Sequence, residues 1–144
     1  MRELLFRAQA INRIEGREYR TNYKNGDWVY GLVTRLYDER FEMLPATMTN
    51  TDGVSDIDVD HKTIGQYTGL TDKYGTKVFE GDIVKIIDTY NNCVVWYVDY
   101  KPTAFCINQK GVNYSDYLGK CNNGKYDIEV IGNIHDNSYL LKEE

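Results

Sequence analysis

The side chains that could do chemistry are few and scattered. Glu80 and Asp82 are two carboxylates one residue apart, the raw material of acid–base catalysis. With 17 basic and 22 acidic residues in 144, however, some carboxylates meet in any fold, and Glu80-Gly81-Asp82 reads more simply as a turn in which Asp82 hydrogen-bonds local backbone at a strand start. Asp56-Ile57-Asp58-Val59-Asp60 opens like a calcium loop. Such a loop needs a turn glycine at its sixth position and a carboxylate at its twelfth, where this chain has His61 and Tyr67. The calcium reading fails at both, leaving an edge strand whose three aspartates share a solvated face and discourage edge pairing. Cys93, Cys106 and Cys121 are widely spaced, with no C-x-x-C pair. They read as reduced, partly buried thiols, and a zinc site drawing on His61 or His135 has no motif behind it. No G-x-S-x-G, Walker loop, H-E-x-x-H or dinucleotide fingerprint occurs. The sequence therefore points away from an enzyme and implies no cofactor and no metal.

Two features suit recognition instead. The chain has 13 tyrosines and two tryptophans, side chains that couple a large apolar body to a polar tip and favour interfaces. Most, Trp28 and Trp96 included, are expected to fill a β core as cross-strand pairs. Tyr67, Tyr74 and Tyr90, expected at turn tips, are the candidates for contact surface. The second feature is charge asymmetry. Residues 1–40 hold all seven arginines and Lys24 against six acids, for +2; residues 41–144 hold nine lysines against 16 acids, for −7. Arginine suits bidentate phosphate contacts, so Arg13, Arg17 and Arg20, with tyrosines stacking on bases, define a nucleic-acid-binding alternative. Against it stands the net charge of −5, since non-specific nucleic-acid affinity comes from neutralising phosphates; pairing of these arginines with the protein's own acids carries more weight.

The elements that must position these residues read as strands. Leu4, Phe6 and Ala8 alternate with Leu5, Arg7 and Gln9, a period of two. Asn25-Gly26 between the aromatic runs Tyr19–Tyr23 and Trp28–Val33 signals a hairpin through a type I′ turn. Leu36 to Pro45 is ambiguous between helix and strand, and Met48 to Ser55 looks like a mobile polar loop. Thr71-Asp72-Lys73-Tyr74-Gly75-Thr76 is a turn, with Lys77-Val78-Phe79 the returning strand. Ile83 to Ile87 and Cys93 to Val98 should pair antiparallel around Asp88–Asn92. Thr103 to Ile107 is another short strand, and Tyr126 to Ile134 the last. Lys110 to Gly124 should be mostly loop, with room for one helical turn at Ser115 to Leu118. Asp136-Asn137-Ser138 caps a short terminal turn.

The run from Gln66 to Lys85, QYTGLTDKYGTKVFEGDIVK, resembles the signature of the YopX family, small proteins encoded by bacterial phages and prophages. Met1 to Ala8, Gly26-Asp27-Trp28-Val29-Tyr30-Gly31, Glu129 to Ile134 and Leu140-Leu141 resemble the family's other blocks in order. His61, His135 and Ser138 depart from the pattern, which puts local turn geometry in question. The resemblance implies a phage context and a compact β-rich fold, and carries no catalytic or binding residue across.

These observations set the expectations. The fold is mainly β, a curled antiparallel sheet or SH3-like barrel core with hairpin extensions and little helix, in a single domain over residues 1–144. Mean hydropathy of −0.57, the lack of a ~20-residue apolar run and of a signal-peptide apolar segment point to the bacterial cytoplasm and no membrane. The expected function is a non-catalytic accessory protein that binds another protein, of a kind the sequence does not name, and self-associates as a homo-oligomer through sheet edges or tyrosine-rich turns.

Overall fold

A computed structural model describes residues 3–11, 23–36, 40, 45–102, 104–110, 115–123 and 127–141. The protein is mainly β, and its chain divides into two compact units, Met1–Gln66 and Tyr67–Glu144.

In the first unit β1 (Phe6–Gln9), β2 (Trp28–Arg35), β3 (Ala46–Asn50) and β4 (Ile57–Val59) form an antiparallel sheet in the order β4-β3-β2-β1. Gly65 and Gln66, the opening of β5 (Gly65–Thr71), pair with Arg7 and Phe6. The sheet curls. Val59 bridges to Ala10, the Ile11 N–H donates to the Asp58 carbonyl and the Asp60 N–H to the Gln9 carbonyl, both at 2.8 Å. Inside the curl lie Ala8, Ala10, Val29, Ala46, Met48, Ile57 and Val59. The small residues have a geometric role here: a Cβ on Gly31 would collide with the Thr49 carbonyl oxygen, so β2 and β3 approach this closely only with glycine there.

Three expectations for this unit change. The hairpin expected at Asn25-Gly26 rests on the run Tyr19–Tyr23, of which only Tyr23 lies within the described residues; the partners of β2 among the described residues are β1, along Trp28–Gly31, and β3, along Gly31–Arg35. The turn itself differs from the expectation. Gly26 has φ +91° while Asn25 is absent from the residues with positive φ, and type I′ needs both. Met48 to Ser55 is not a loop throughout. Ala46–Asn50 is strand β3, and Met48 is fully buried. Its alternation was masked by threonine, which is polar by composition but β-branched. The remaining residues are a tight turn in which the Asn50 side-chain oxygen accepts from the N–H groups of Asp52 (3.0 Å) and Val54 (2.9 Å). Last, the three aspartates do not share a solvated face. Asp58 is buried, Asp56 takes φ +58°, and Asp60 caps the 3-10 turn His61–Thr63.

The second unit begins with the rest of β5, whose Tyr67 and Thr71 pair with Phe79 and Lys77 of β6 (Lys77–Phe79). A five-stranded antiparallel sheet follows, in the order β10-β9-β8-β7-β11, from β7 (Asp82–Ile87), β8 (Cys93–Lys101), β9 (Ala104–Asn108), β10 (Ser115–Tyr117) and β11 (Asp127–Asn133). Its core gathers Val78, Val84, Ile86, Val98, Ile107, Leu118, Cys121 and Ile128, with Trp96 and Phe105 packed against it. The expected pairing of Ile83–Ile87 with the Cys93–Val98 run is present, in register along Cys93–Tyr97. Among the described residues the strands close no barrel, so the curled-sheet form of the expectation is the one adopted. The stretch read as loop with a helical turn at Ser115–Leu118 instead gives β10 and then a 3-10 turn, Leu118–Asn123.

Two aspartates organise this unit. The Asp72 carboxylate accepts from the N–H groups of Tyr74 and Thr76 at 2.9 Å through one oxygen, and from Val130, 58 residues away, at 3.0 Å through the other. The Lys73 N–H donates to the Ile128 carbonyl at 3.0 Å. One turn thus closes the β5–β6 hairpin and covers the outer edge of β11, an edge that would otherwise invite pairing. Asp82, 1% exposed, accepts from the Phe79 N–H at 2.7 Å, the strand-start role expected for it. Gly81 beside it, at φ +91°, ties the corner to Val98 and Ile134.

Candidate functional site

The tyrosine candidates separate. Tyr67 lies inside a strand, 7% exposed, with its ring 5.6 Å from that of Phe79 and the Lys77 ammonium 5.5 Å from its centre. It is a packing residue, not a turn tip, because the turn starts at Asp72, beyond the end of β5. Tyr74 and Tyr90 do crown turns, at 69% and 85% exposure. Tyr74 rides on the Asp72 turn with the Lys73 ammonium 5.1 Å from its ring. Tyr90 is held out by Asp88, whose carboxylate accepts from the N–H groups of Tyr90 (2.8 Å) and Asn92 (2.9 Å). The Asn92 backbone hydrogen bond, with smaller help from the Asn92 side chain and Tyr90, holds the Asp88 carboxyl below its ordinary pKa. Tyr100, Tyr117 and Tyr139 are also more than half exposed, and sequence reasoning did not single them out.

Arg13, Arg17 and Arg20 lie outside the described residues. Of the other arginines, Arg7 is buried with its guanidinium 4.7 Å from the Trp28 ring centre, and Arg35 donates to the Pro45 carbonyl at 2.7 and 3.2 Å. Cys93 is exposed, Cys106 and Cys121 are buried, and all three are free thiols. Among the described residues no group of three His, Cys, Asp or Glu could hold a metal, and no helix is long and apolar enough to cross a membrane.

The structure adds a site that the sequence did not reveal. A cavity of about 260 Å³ opens between the inner face of the five-stranded sheet and the Leu118–Asn123 turn, lined by Ile86, Trp96, Ile107, Gln109, Asp116, Lys120 and Cys121. Strand alternation sets its floor: Val84 pairs with Trp96, Ile86 with Val94 and Val98 with Ile107, so these side chains share one face. The 3-10 turn supplies the wall, and Lys120 meets Asp116 at 3.0 Å at the mouth. Burial, reinforced by the Asp116 charge, pushes the Cys121 thiol up, so it is protonated and a poor nucleophile. Sequence reasoning placed Trp96 in the β core, but the wall fell in a segment rich in Gly, Asn and Lys that reads as loop. A second cavity of about 250 Å³ lies beside Leu140, Leu141, Cys93–Val95 and Gln109.

The described residues thus define a small, mainly β protein of two antiparallel units with several exposed tyrosines. The family model for YopX protein matches residues 18–142, and the chain belongs to that family. The crystal structure of protein EF1440 from Enterococcus faecalis is similar in fold, with a TM-score of 0.52 and 24% identity over 97% of this chain and 99% of that one. No curated protein matches the chain.

Proposed function

We propose that this protein is a non-catalytic protein-binding module that self-associates, an accessory protein of phage or prophage origin acting in the cytoplasm of a bacterial host. The observation that carries this reading is the display of Tyr74, Tyr90, Tyr100, Tyr117 and Tyr139 at 51–85% exposure on the second unit. Tyrosine couples a large apolar body to a polar tip, is enriched at interfaces, and brings large contact area at low entropy cost. The nucleic-acid alternative gains nothing from Arg7 and Arg35, which are engaged within the protein.

Light scattering on a size-exclusion column, over a hundredfold range of concentration, tests the reading. The expected result is a mass that rises above one chain with concentration and falls back in the Tyr74→Ser/Tyr90→Ser double variant, both sites being exposed enough to leave stability nearly unchanged. A strict monomer at every concentration would remove self-association.

A further inference from the structure

We infer that the cavity between the five-stranded sheet and the Leu118–Asn123 turn is a recognition pocket for a phenol ring, the side chain of a tyrosine presented by a protein partner. The inference rests on the protein-binding reading above and gives it a specific receptor.

Size is the first argument. A dry apolar cavity of about 150 Å³ takes benzene; at about 260 Å³ this one has room for a six-membered ring with para substituents and little more. The lining is the second. Ile86, Ile107 and the Trp96 indole make an apolar floor, and aromatic rings pack against an indole in tilted or offset geometry. Cys121, kept protonated, adds a polarisable sulfur of the kind that meets ring edges.

The polar groups decide which ring. Gln109 lines the cavity half-buried, and its side-chain amide makes no hydrogen bond among the described residues. An amide offers a donor and an acceptor, and so does a phenol hydroxyl. Phenylalanine would leave that amide unanswered. The mouth carries one positive and one negative charge, Lys120 and Asp116. This neutral pair gives no net attraction to an anion, and the Asp116 charge that disfavours a Cys121 thiolate would also disfavour a carboxylate. A neutral ring with a hydroxyl is the chemistry left.

The test is amide and indole NMR of the isotopically labelled full chain, titrated with p-cresol, toluene, 4-methylbenzoate and N-acetyl-tyrosinamide. Saturable shifts at the Trp96 indole N–H and at Gln109 and Lys120 are expected with p-cresol, with Kd on the order of 1 mM for so small a ligand. Toluene and 4-methylbenzoate should bind about tenfold more weakly, and N-acetyl-tyrosinamide should move the same signals. Gln109→Leu, at a half-exposed site, should leave the rest of the spectrum in place and bring p-cresol down to the level of toluene. No shift at these signals, equal affinity for toluene and p-cresol, or p-cresol binding without N-acetyl-tyrosinamide binding would each overturn the inference. An oligomer that ignores p-cresol would retire the pocket and keep self-association; a strict monomer that binds p-cresol would do the reverse.

Discussion

Asp72 is the residue whose loss should be felt furthest along the chain. It is 6% exposed and accepts three backbone N–H groups, from Tyr74, Thr76 and Val130. Hydrogen bonds to a charged acceptor contribute about 1.5–3 kcal/mol each, but they are not additive, and the two turn donors can recover water once the carboxylate is gone. Asp72→Ala should therefore cost about 2–4 kcal/mol, and Asp72→Asn, which keeps one acceptor oxygen but loses the charge and turns an NH2 donor toward an N–H that the second oxygen served, about 1–3 kcal/mol. The pH dependence follows from the same contacts. Burial alone would push the Asp72 carboxyl up, but the hydrogen bonds from Val130, Thr76 and Tyr74 together outweigh it and leave the pKa below its ordinary value. A pKa lower in the folded than in the unfolded state stabilises the fold above the unfolded value, about 3.9 for aspartate, and that contribution disappears as pH falls through the folded value. The gap in stability between the parent and Asp72→Asn should thus be constant from pH 7 to about 5 and close progressively below pH 4. Urea unfolding in a Trp28→Phe background, where Trp96 reports on the second unit alone, measures this. Hydrogen exchange at the Val130 N–H gives the local readout and should accelerate in both variants. A gap that does not change down to pH 2, or an Asp72→Ala cost under about 0.5 kcal/mol, would refute the claim that this carboxylate ties the turn to β11.

The first unit and the thiols give two simpler expectations. Met48→Ala, at a fully buried position of β3, should destabilise the first unit by about 2–5 kcal/mol, read by Trp28 fluorescence in urea; a cost below about 0.5 kcal/mol would restore the loop reading of Met48 to Ser55. Under native conditions at pH 8 a thiol reagent should modify Cys93 quickly and reach Cys106 and Cys121 only on unfolding, because these two are buried and Cys121 is also held protonated. Rapid modification of Cys121 would mean that the Leu118–Asn123 turn does not bury it against the sheet.

What the sequence disclosed was set by how local the physics is. The Asp72 and Asp88 turns, the Asp82 corner and the β7–β8 pairing are each settled within a few residues by side-chain-to-backbone hydrogen bonds and β-branched alternation, and each was legible. The Asn25-Gly26 turn looked equally local and is present, though not as type I′; the partners that β2 takes among the described residues, β1 and β3, are set by the core of Ala8, Val29, Met48 and Val59 over separations of about twenty to fifty residues. The aspartates of Asp56 to Asp60 failed for a related reason. Alternation says which residues share a face, but only the return of Val59 to Ala10 decides that Asp58 is buried rather than solvated. The cavity is the extreme case. Its floor follows the alternation of β8, whereas its wall depends on residues 118–121 closing over that floor, and nothing in the local composition of Leu118-Gly119-Lys120-Cys121 specifies this. The family blocks likewise mark turns and corners that build the sheets: Asp72, Gly81 and Asp82 all serve the frame. Of the side chains proposed here for recognition, Tyr74 lies inside the signature run, on the turn that Asp72 builds, whereas Gln109 in the cavity and Tyr90 on its turn lie outside the family blocks, so the signature covers the proposed binding surface only in part.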